Sequence, residues 1–258
     1  VPVENLARWN GTAWSALPGE GAFIDEVAAL GTWEDALGSH LLASGSFQPT
    51  LPEAEVFSLA RWNGAQWSRL AGAADTVTDL RNARVFEGIH ETNGKSLYIG
   101  GFSMVPVDSE GSFNARGAVK WDGQRWQPTE KAFDGEIQVI RAWDDGNGAA
   151  LYVGGEFTTG GGRRVRSLAR WDGNEIQPVG MGLLPTPFTF RALTAMVTYD
   201  DGRGSALYLC GNFTTLGPQT IINLARWNGR VWSRVGGFGV DPRFNVSLRA
   251  LAVFNDGT

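Results

Sequence analysis

The stretch SLARWDG, Ser167 to Gly173, decides how the chain is read, because it recurs. NLARWNG stands at Asn5 to Gly11, SLARWNG at Ser58 to Gly64, GAVKWDG at Gly117 to Gly123 and NLARWNG at Asn223 to Gly229. The anchors Trp9, Trp62, Trp121, Trp171 and Trp227 return about every 50–60 residues, a period that marks one structural unit used repeatedly. Around each anchor the unit holds four apolar segments. The first is VAALGTW from Val27, TDLRNARVF from Thr78, IQVIRAW from Ile137, RALTAMVTY from Arg191 and LRALAVF from Leu248. The second is LLASGSF from Leu41, LYIGGFS from Leu97, LYVGGEF from Leu151 and LYLCGNF from Leu207. The third is the repeated phrase, and the fourth carries a second aromatic or aliphatic residue, as in Trp14, Trp67, Trp126, Ile176 and Trp232.

Each segment is short, rich in β-branched and aromatic residues and bounded by Gly, Asp or Asn, which are strand signals. None sustains a helical period over a dozen residues. Four strands per repeat is the pattern of a propeller blade. The Asn-Gly or Asp-Gly after each Trp predicts a two-residue hairpin turn. That register would pair Trp9 with Thr12, Arg8 with Ala13 and Ala7 with Trp14, and would put Ala7, Trp9 and Trp14 on one face. The repeated Trp residues then read as a wedge packed between blades, with exposed sugar-stacking platforms as the alternative. The doubled glycines of the second segment, Gly100-Gly101 and Gly154-Gly155, leave room for a Trp ring or another backbone. The alanines of the first segment suit a crowded inner strand.

The expected fold is therefore all-β: a propeller of four-stranded antiparallel blades, five in number, forming a single domain over 1–258. Blades are expected at 27–70, 78–129, 137–179 and 191–235, with a closing blade from 1–17 plus 247–258. The ends fit that ring with a gap. Val1 aligns with Arg163 and Thr258 with Asn147, so the segment matching Gly148 to Gly162, a second strand, has no counterpart. The expectation is that a longer chain fills this lane, because an empty lane would leave backbone groups unpaired. The ALYVGGEFTT…LARWDG phrase resembles the kelch repeat and the Gly- and Trp-rich β-propeller repeats of bacterial secreted proteins. That resemblance implies the propeller fold and an extracellular or cell-surface setting. Kelch-like folds host both enzymes and binding scaffolds, so it implies no one activity. The Trp-to-Trp spacing departs from the Tyr-then-Trp pattern of kelch repeats.

The chain has 258 residues, 43% hydrophobic, and a net charge of -5. No basic run offers a stripe for nucleic acid, and no apolar run is long enough to span a bilayer. The one cysteine, Cys210, reads as a small buried residue. The two histidines, His40 and His90, read as surface residues in turns between first and second segments, too few for a metal centre. The acidic turns Asp144-Asp145 and Asp200-Asp201 are the candidates for calcium, against ordinary turn chemistry. No other cofactor is expected. Loop lengths carry the functional reading. The turns after the first and third segments are short, whereas the connections at 103–116, 180–190 and 236–246 are long and differ between repeats. In an up-and-down blade these emerge at one end, where binding residues gather on a rigid scaffold. The candidates are Met104, Phe113, Arg116, Arg163, Arg164, Phe188, Phe238 and Arg243. The expectation is a non-catalytic binding or assembly module for a protein or glycan ligand. The alternatives are a lectin-like propeller and an enzyme with a site at the central axis.

Overall fold

The computed structural model describes residues 5–17, 22–35, 38–48, 57–70, 80, 83–91, 94–104, 107–108, 111–112, 115–129, 133–183, 193–214, 216, 219–236 and 248–254. Among them there is strand, turn and loop but no helix. The chain divides into two compact units, residues 1–129 and 130–258.

The first unit begins with a hairpin, β1 (Ala7–Trp9) and β2 (Trp14–Ala16). Sheet I follows, made of β3 (Ala22–Asp35), β4 (Gly38–Gln48), β5 (Phe57–Trp62) and β6 (Trp67–Arg69) in that order. Then come β7 (Ala83–Glu91), β8 (Gly94–Met104), a small ribbon of β9 (Val107–Asp108) and β10 (Gly111–Ser112), then β11 (Ala115–Trp121) and β12 (Trp126–Pro128). Sheet II is β7-β8-β11-β12, with the ribbon lying in the connection between its second and third strands.

The second unit repeats the plan. Sheet III uses β13 (Glu136–Asp144), β14 (Ala149–Glu156), β17 (Leu168–Trp171) and β18 (Ile176–Pro178). Its second connection again carries a ribbon, β15 (Thr159–Gly160) with β16 (Arg163–Arg164). Sheet IV is β19 (Ala195–Asp200), β20 (Ser205–Cys210), β21 (Leu224–Trp227) and β22 (Trp232–Arg234). All neighbours in the four sheets are antiparallel. The four expected segments per repeat thus form one up-and-down sheet in each of four repeats.

The third-to-fourth-strand hairpin differs from the sequence expectation. Trp9 pairs with Trp14, Arg8 with Ser15 and Ala7 with Ala16. Trp62 likewise meets Trp67, Trp121 meets Trp126, Trp171 meets Ile176 and Trp227 meets Trp232. The loop is Asn10 to Ala13, longer than a two-residue turn. Its cause is the first loop side chain. Asn10 Oδ1 accepts the N–H groups of Thr12 (2.9 Å) and Ala13 (2.8 Å). The same cap is made by Asn63, Asp122, Asp172 and Asn228. A side-chain carbonyl bonded two residues onward is the Asx turn. The next residue lies at positive φ, +101° at Gly11 and +93° at Gly173, which explains the glycine. The phrase therefore encodes a capped loop that places two large residues directly across from each other, with ring centroids 4.7–5.4 Å apart where both are Trp.

The first letter of the phrase has a separate cause. Asn5, Gly117, Ser167 and Asn223 lie at positive φ, where Asn and Gly are the tolerated residues. There Ser167 donates its N–H to Phe157 O (2.8 Å) and accepts from Gly155 N (3.1 Å). Asn223 repeats both bonds with Phe213 and Gly211. Ser58 instead uses its hydroxyl to accept the Leu80 N–H at 2.6 Å.

Within each unit the sheets lie closest along their first strands, β3 beside β7 and β13 beside β19. Small residues serve this narrow side. A Cβ on Gly31 would lie 2.4 Å from the Phe86 Cβ. The doubled glycines divide the work. A Cβ on Gly155 would fall 2.1 Å from the Glu136 carbonyl oxygen, where the β13–β14 register bulges. One on Gly154 would strike Leu193 and Met196 of the next sheet. The close neighbours are backbone and aliphatic side chains, not Trp rings.

Large residues from the first to the fourth strands fill the rest of the space between the sheets. Trp33, Leu42 and Leu59 of sheet I form one cluster with Phe86, Leu97, Val119, Trp121 and Trp126 of sheet II. Val139, Trp143 and Tyr152 of sheet III cluster with Met196, Leu207, Trp227 and Trp232 of sheet IV. Trp62, Trp121, Trp171 and Trp227 are each 8% exposed or less. Trp9 is the exception at 49%, with Trp14 at 62%. Leu6, just before β1, packs against Ala43 and Ala60 of sheet I. The fifth copy of the first segment also departs from expectation, since Leu248–Phe254 forms no strand. A strand needs a neighbour for its backbone groups, and no described second strand lies beside this segment. Its Leu248 carbonyl accepts a hydrogen bond from the Thr194 hydroxyl.

The packing predicts a sharp contrast between copies of one residue. Trp121→Ala should lower unfolding free energy by about 3–5 kcal/mol, as for a buried aromatic. Trp9→Ala should cost less than about 1 kcal/mol, because its ring stays largely in water. Denaturant unfolding of both variants measures this, and equal losses would contradict the burial pattern.

Candidate functional site

The acidic turns are clamps. In sheet III, Asp144 Oδ1 accepts the N–H groups of Gly146 (2.9 Å) and Gly148 (3.1 Å), closing the turn itself. Asp145 Oδ2 accepts the hydroxyl of Tyr152 on β14 at 2.7 Å and lies 3.5 Å from Arg170 Nε on β17. Arg170 also donates to the carbonyl of Gly148 at 2.9 Å. Sheet IV repeats this. Asp200 closes the turn on Gly202 and Gly204, while Asp201 takes the Tyr208 hydroxyl at 2.6 Å and lies 3.6 Å from Arg226. In sheet II, Glu91 accepts from Tyr98 (2.6 Å), Ser96 (2.9 Å) and Lys120 (2.5 Å). A second-strand Tyr, a turn carboxylate and a third-strand cation thus recur in three sheets.

The calcium candidates are the acids of these turns. Asp144 and Asp200 each accept turn N–H groups through Oδ1, while Asp145 and Asp201 accept Tyr hydroxyls and lie beside Arg170 and Arg226. Among the described residues no three His, Cys, Asp or Glu converge as a metal would need.

The electrostatics follow. For Glu91, burial pushes the carboxyl up, but hydrogen bonds from Lys120, Tyr98 and Ser96 together hold it below its ordinary value. Burial likewise raises Asp145, and the bonds from Tyr152 and Asn147 with the Arg170 charge outweigh it. Asp201 is lowered chiefly by hydrogen bonds from Arg203 and then Tyr208. The phenols of Tyr98 and Tyr152 are raised by burial and by their carboxylate partners.

The histidine expectation needs correction. His40 and His90 lie within strands, opposite Trp33 and Lys95. His40 is buried and His90 exposed. Cys210 is fully buried beside the Thr194 hydroxyl, and burial pushes its thiol up, away from the reactive thiolate.

At the opposite end of each sheet lie the long connections. In the second unit they are tied together. Phe133 bridges to Gly160, and Leu183 bridges to Leu216. Asp134 accepts the Thr158 and Thr159 N–H groups (both 2.8 Å) and the Thr158 hydroxyl (2.6 Å). Met104 ends β8 and Arg116 lies in β11, at this end of sheet II. Arg163 does not project from it. Its guanidinium pairs with Glu175 at 2.5 Å, in the loop before β18, because the β15–β16 ribbon folds back along that strand. Arg164 is exposed on the same ribbon. Phe113, Phe188, Phe238 and Arg243 lie outside the described residues.

Sequence reasoning missed Tyr98, Tyr152, Tyr208, Lys120, Arg170 and Arg226. Their signal was present: Tyr follows Leu in three second segments, and Lys or Arg precedes each anchor Trp. The acid was weighed only within its own turn. No protein-family model, no curated protein and no solved structure matches this chain.

The clamps predict a direction of pH dependence. Glu91 and Asp145 have folded pKa values below their unfolded ones. Their contribution is therefore complete above about pH 4–5 and is lost as pH falls through the folded values. Unfolding free energy should fall on acidification below about pH 4. Tyr152→Phe should cost about 0.5–1.5 kcal/mol at neutral pH and flatten the acid slope, because Asp145 loses a donor. An unchanged slope in urea titrations across pH 2–7 would contradict the clamp.

Proposed function

We propose that the chain is a β-propeller acting as a non-catalytic binding scaffold, in which 27–70, 78–129, 137–179 and 191–235 are blades. Residues 1–17 and 247–258 belong to a fifth, closing blade. The repeat plan supports this reading, as do sheets that meet along their first strands and are wedged apart by aromatics at their last. An extracellular setting and a protein ligand belong to the same reading.

The observation that carries the function is the contrast between the two ends of each sheet. In sheets II, III and IV one end repeats itself, and its carboxylates, Tyr hydroxyls and cations satisfy one another. The other end bears connections that differ in every repeat, two of them built out as ribbons. Variable loops on a constant scaffold are where recognition is placed. A carbohydrate pocket in every blade would need exposed Trp at equivalent positions, and the anchors other than Trp9 are buried.

Replacing residues 107–112 by Asn-Gly tests the scaffold reading. The thermal midpoint should stay within about 4 °C, the scale of 1 kcal/mol in a chain this long. Proteins retained from an extract by the parent chain should be lost with the variant, as counted by quantitative mass spectrometry. Retention by both chains would place recognition elsewhere. A saturable Trp quench by a glycan, abolished in Trp9→Ala, would favour the carbohydrate alternative.

A further inference from the structure

Charge is unevenly distributed over the second unit. The turn acids Asp144, Asp145, Asp200 and Asp201 and the loop acids Asp172 and Glu175 lie at one end of sheets III and IV. At the other end three connections, 157–167, 179–194 and 211–223, carry no Asp or Glu. The first of them holds GGGRRVR, Gly160 to Arg166. The whole chain has 27 acids against 22 Lys and Arg, so this end runs against the composition. The matching connection of sheet II does carry acids, Asp108 and Glu110.

Several cations of this unit are neutralised. Arg163 pairs with Glu175, Arg170 with Asp145 and Asp172, and Arg203 and Arg226 with Asp201. Arg164 and Arg166 pair with no carboxylate among the described residues, Asp134, Glu136 and Glu156 at the same end of sheet III included. Asp134 is taken by Thr158 and Thr159, and Glu156 accepts the Gln138 amide at 2.9 Å. The two arginines stand on a fixed frame. Arg164 lies opposite Thr159 in the β15–β16 ribbon, and Val165 between the arginines is fully buried. Arg166 has φ +48°, and its carbonyl accepts the Leu183 N–H at 3.0 Å. That bond brings the turn Val179 to Gly182 alongside, where a Cβ on Gly182 would lie 2.8 Å from the Arg166 Cβ. Gly180, at φ +60°, shapes the turn, and Met181 beside it is 56% exposed. An apolar side chain is thus presented next to two unpaired cations. Leu183 bridges in turn to Leu216, and Leu216 to Gln219. The neighbouring Thr220 carbonyl accepts Arg234 Nε at 2.9 Å, which holds a third exposed guanidinium with no carboxylate among the described residues.

We propose that this end of the second unit binds an acidic segment of another protein, with carboxylates on Arg164, Arg166 and Arg234 and an aliphatic side chain against Met181. A guanidinium offers a planar fork of donors that matches a carboxylate. A thioether side chain adapts to apolar partners of varied shape. A sulfated glycan would use the cations and leave Met181 idle, so the exposed methionine favours a peptide. The inference rests on reading the variable connections as the recognition face, and it adds the chemistry of the partner and the place where it sits.

The test is selection of a random peptide library on the full chain. The selected peptides should be rich in Asp and Glu and carry an aliphatic residue. Their affinity, read by fluorescence anisotropy, should fall about tenfold in the double variant Arg164→Glu, Arg166→Glu, and should weaken as salt rises. Met181→Ser should weaken them several-fold and leave the salt dependence unchanged. Both arginine changes keep a side chain at the left-handed position of Arg166, and an unchanged thermal midpoint shows that the variant folds. Arg234→Glu, on another sheet, should weaken binding by itself and carries the test if the double variant does not fold. An empty selection, peptides without an excess of acid, or affinities unchanged in these variants would overturn the proposal. If peptides of that kind are lost when residues 107–112 are replaced, the scaffold reading stands without it; loss in neither case counts against both. Heparin binding tighter than every selected peptide, abolished in the double variant and indifferent to Met181→Ser, would assign the arginines to a sulfated glycan and overturn it as well.

Discussion

The wedge-shaped gap between consecutive sheets of a unit governs the rest of the structure. Two twisted sheets that meet along their first strands diverge toward their fourth, and a protein interior cannot leave that space empty. The chain answers with graded volume. Gly31 lets the neighbouring backbone carrying Phe86 come close, Gly154 admits Leu193 and Met196, and farther out Trp121 and Trp126 or Trp227 and Trp232 fill the wide side. The directly opposed Trp pair suits that role. Two rings on adjacent strands at one level make a block wider than a single side chain, and their tilted contact adds to the area they bury.

The loop between the third and fourth strands has a local cause. Asn-Gly was read by its commonest use, a two-residue turn, which would have set Trp9 against Thr12. The Asn10 side chain instead caps a longer loop, so the second strand enters the ladder two residues later, with Trp against Trp. Strand identity and order were legible because period-2 patterning and turn residues are local. Register was not, because two turn chemistries share the same dipeptide, and the longer capped loop forms even at the β1–β2 hairpin, where Trp9 and Trp14 stay exposed.

The clamp was illegible for a related reason. Tyr152, Asp145 and Arg170 are each unremarkable in sequence, and only folding brings the second strand, the turn and the third strand to one point. Aligning the repeats could have found it, since Tyr98, Tyr152 and Tyr208 share a column, as do Lys120, Arg170 and Arg226. Sheet I shows the limit of that signal: Leu42 stands where the others have Tyr, while Arg61 keeps the cation column. Among the proposed loop residues, Arg163 shows how far a folded ribbon can carry a side chain from where its connection begins.

The β1–β2 hairpin separates what the repeated phrase specifies from what its neighbours must supply. Its loop cap, its Trp-to-Trp register and its left-handed Asn5 match those of the complete sheets, so these features follow from the local sequence alone. Its Trp9 ring nevertheless stays half in water, whereas that of Trp121, in the same register, is buried. Burial of the anchor is therefore a property of the next layer. The phrase builds a hairpin anywhere, but it builds a core only where a second strand and a neighbouring sheet are present to cover it. Stability in this chain is accordingly a sum over adjacent layers, in which each sheet is only as secure as the sheet that covers it.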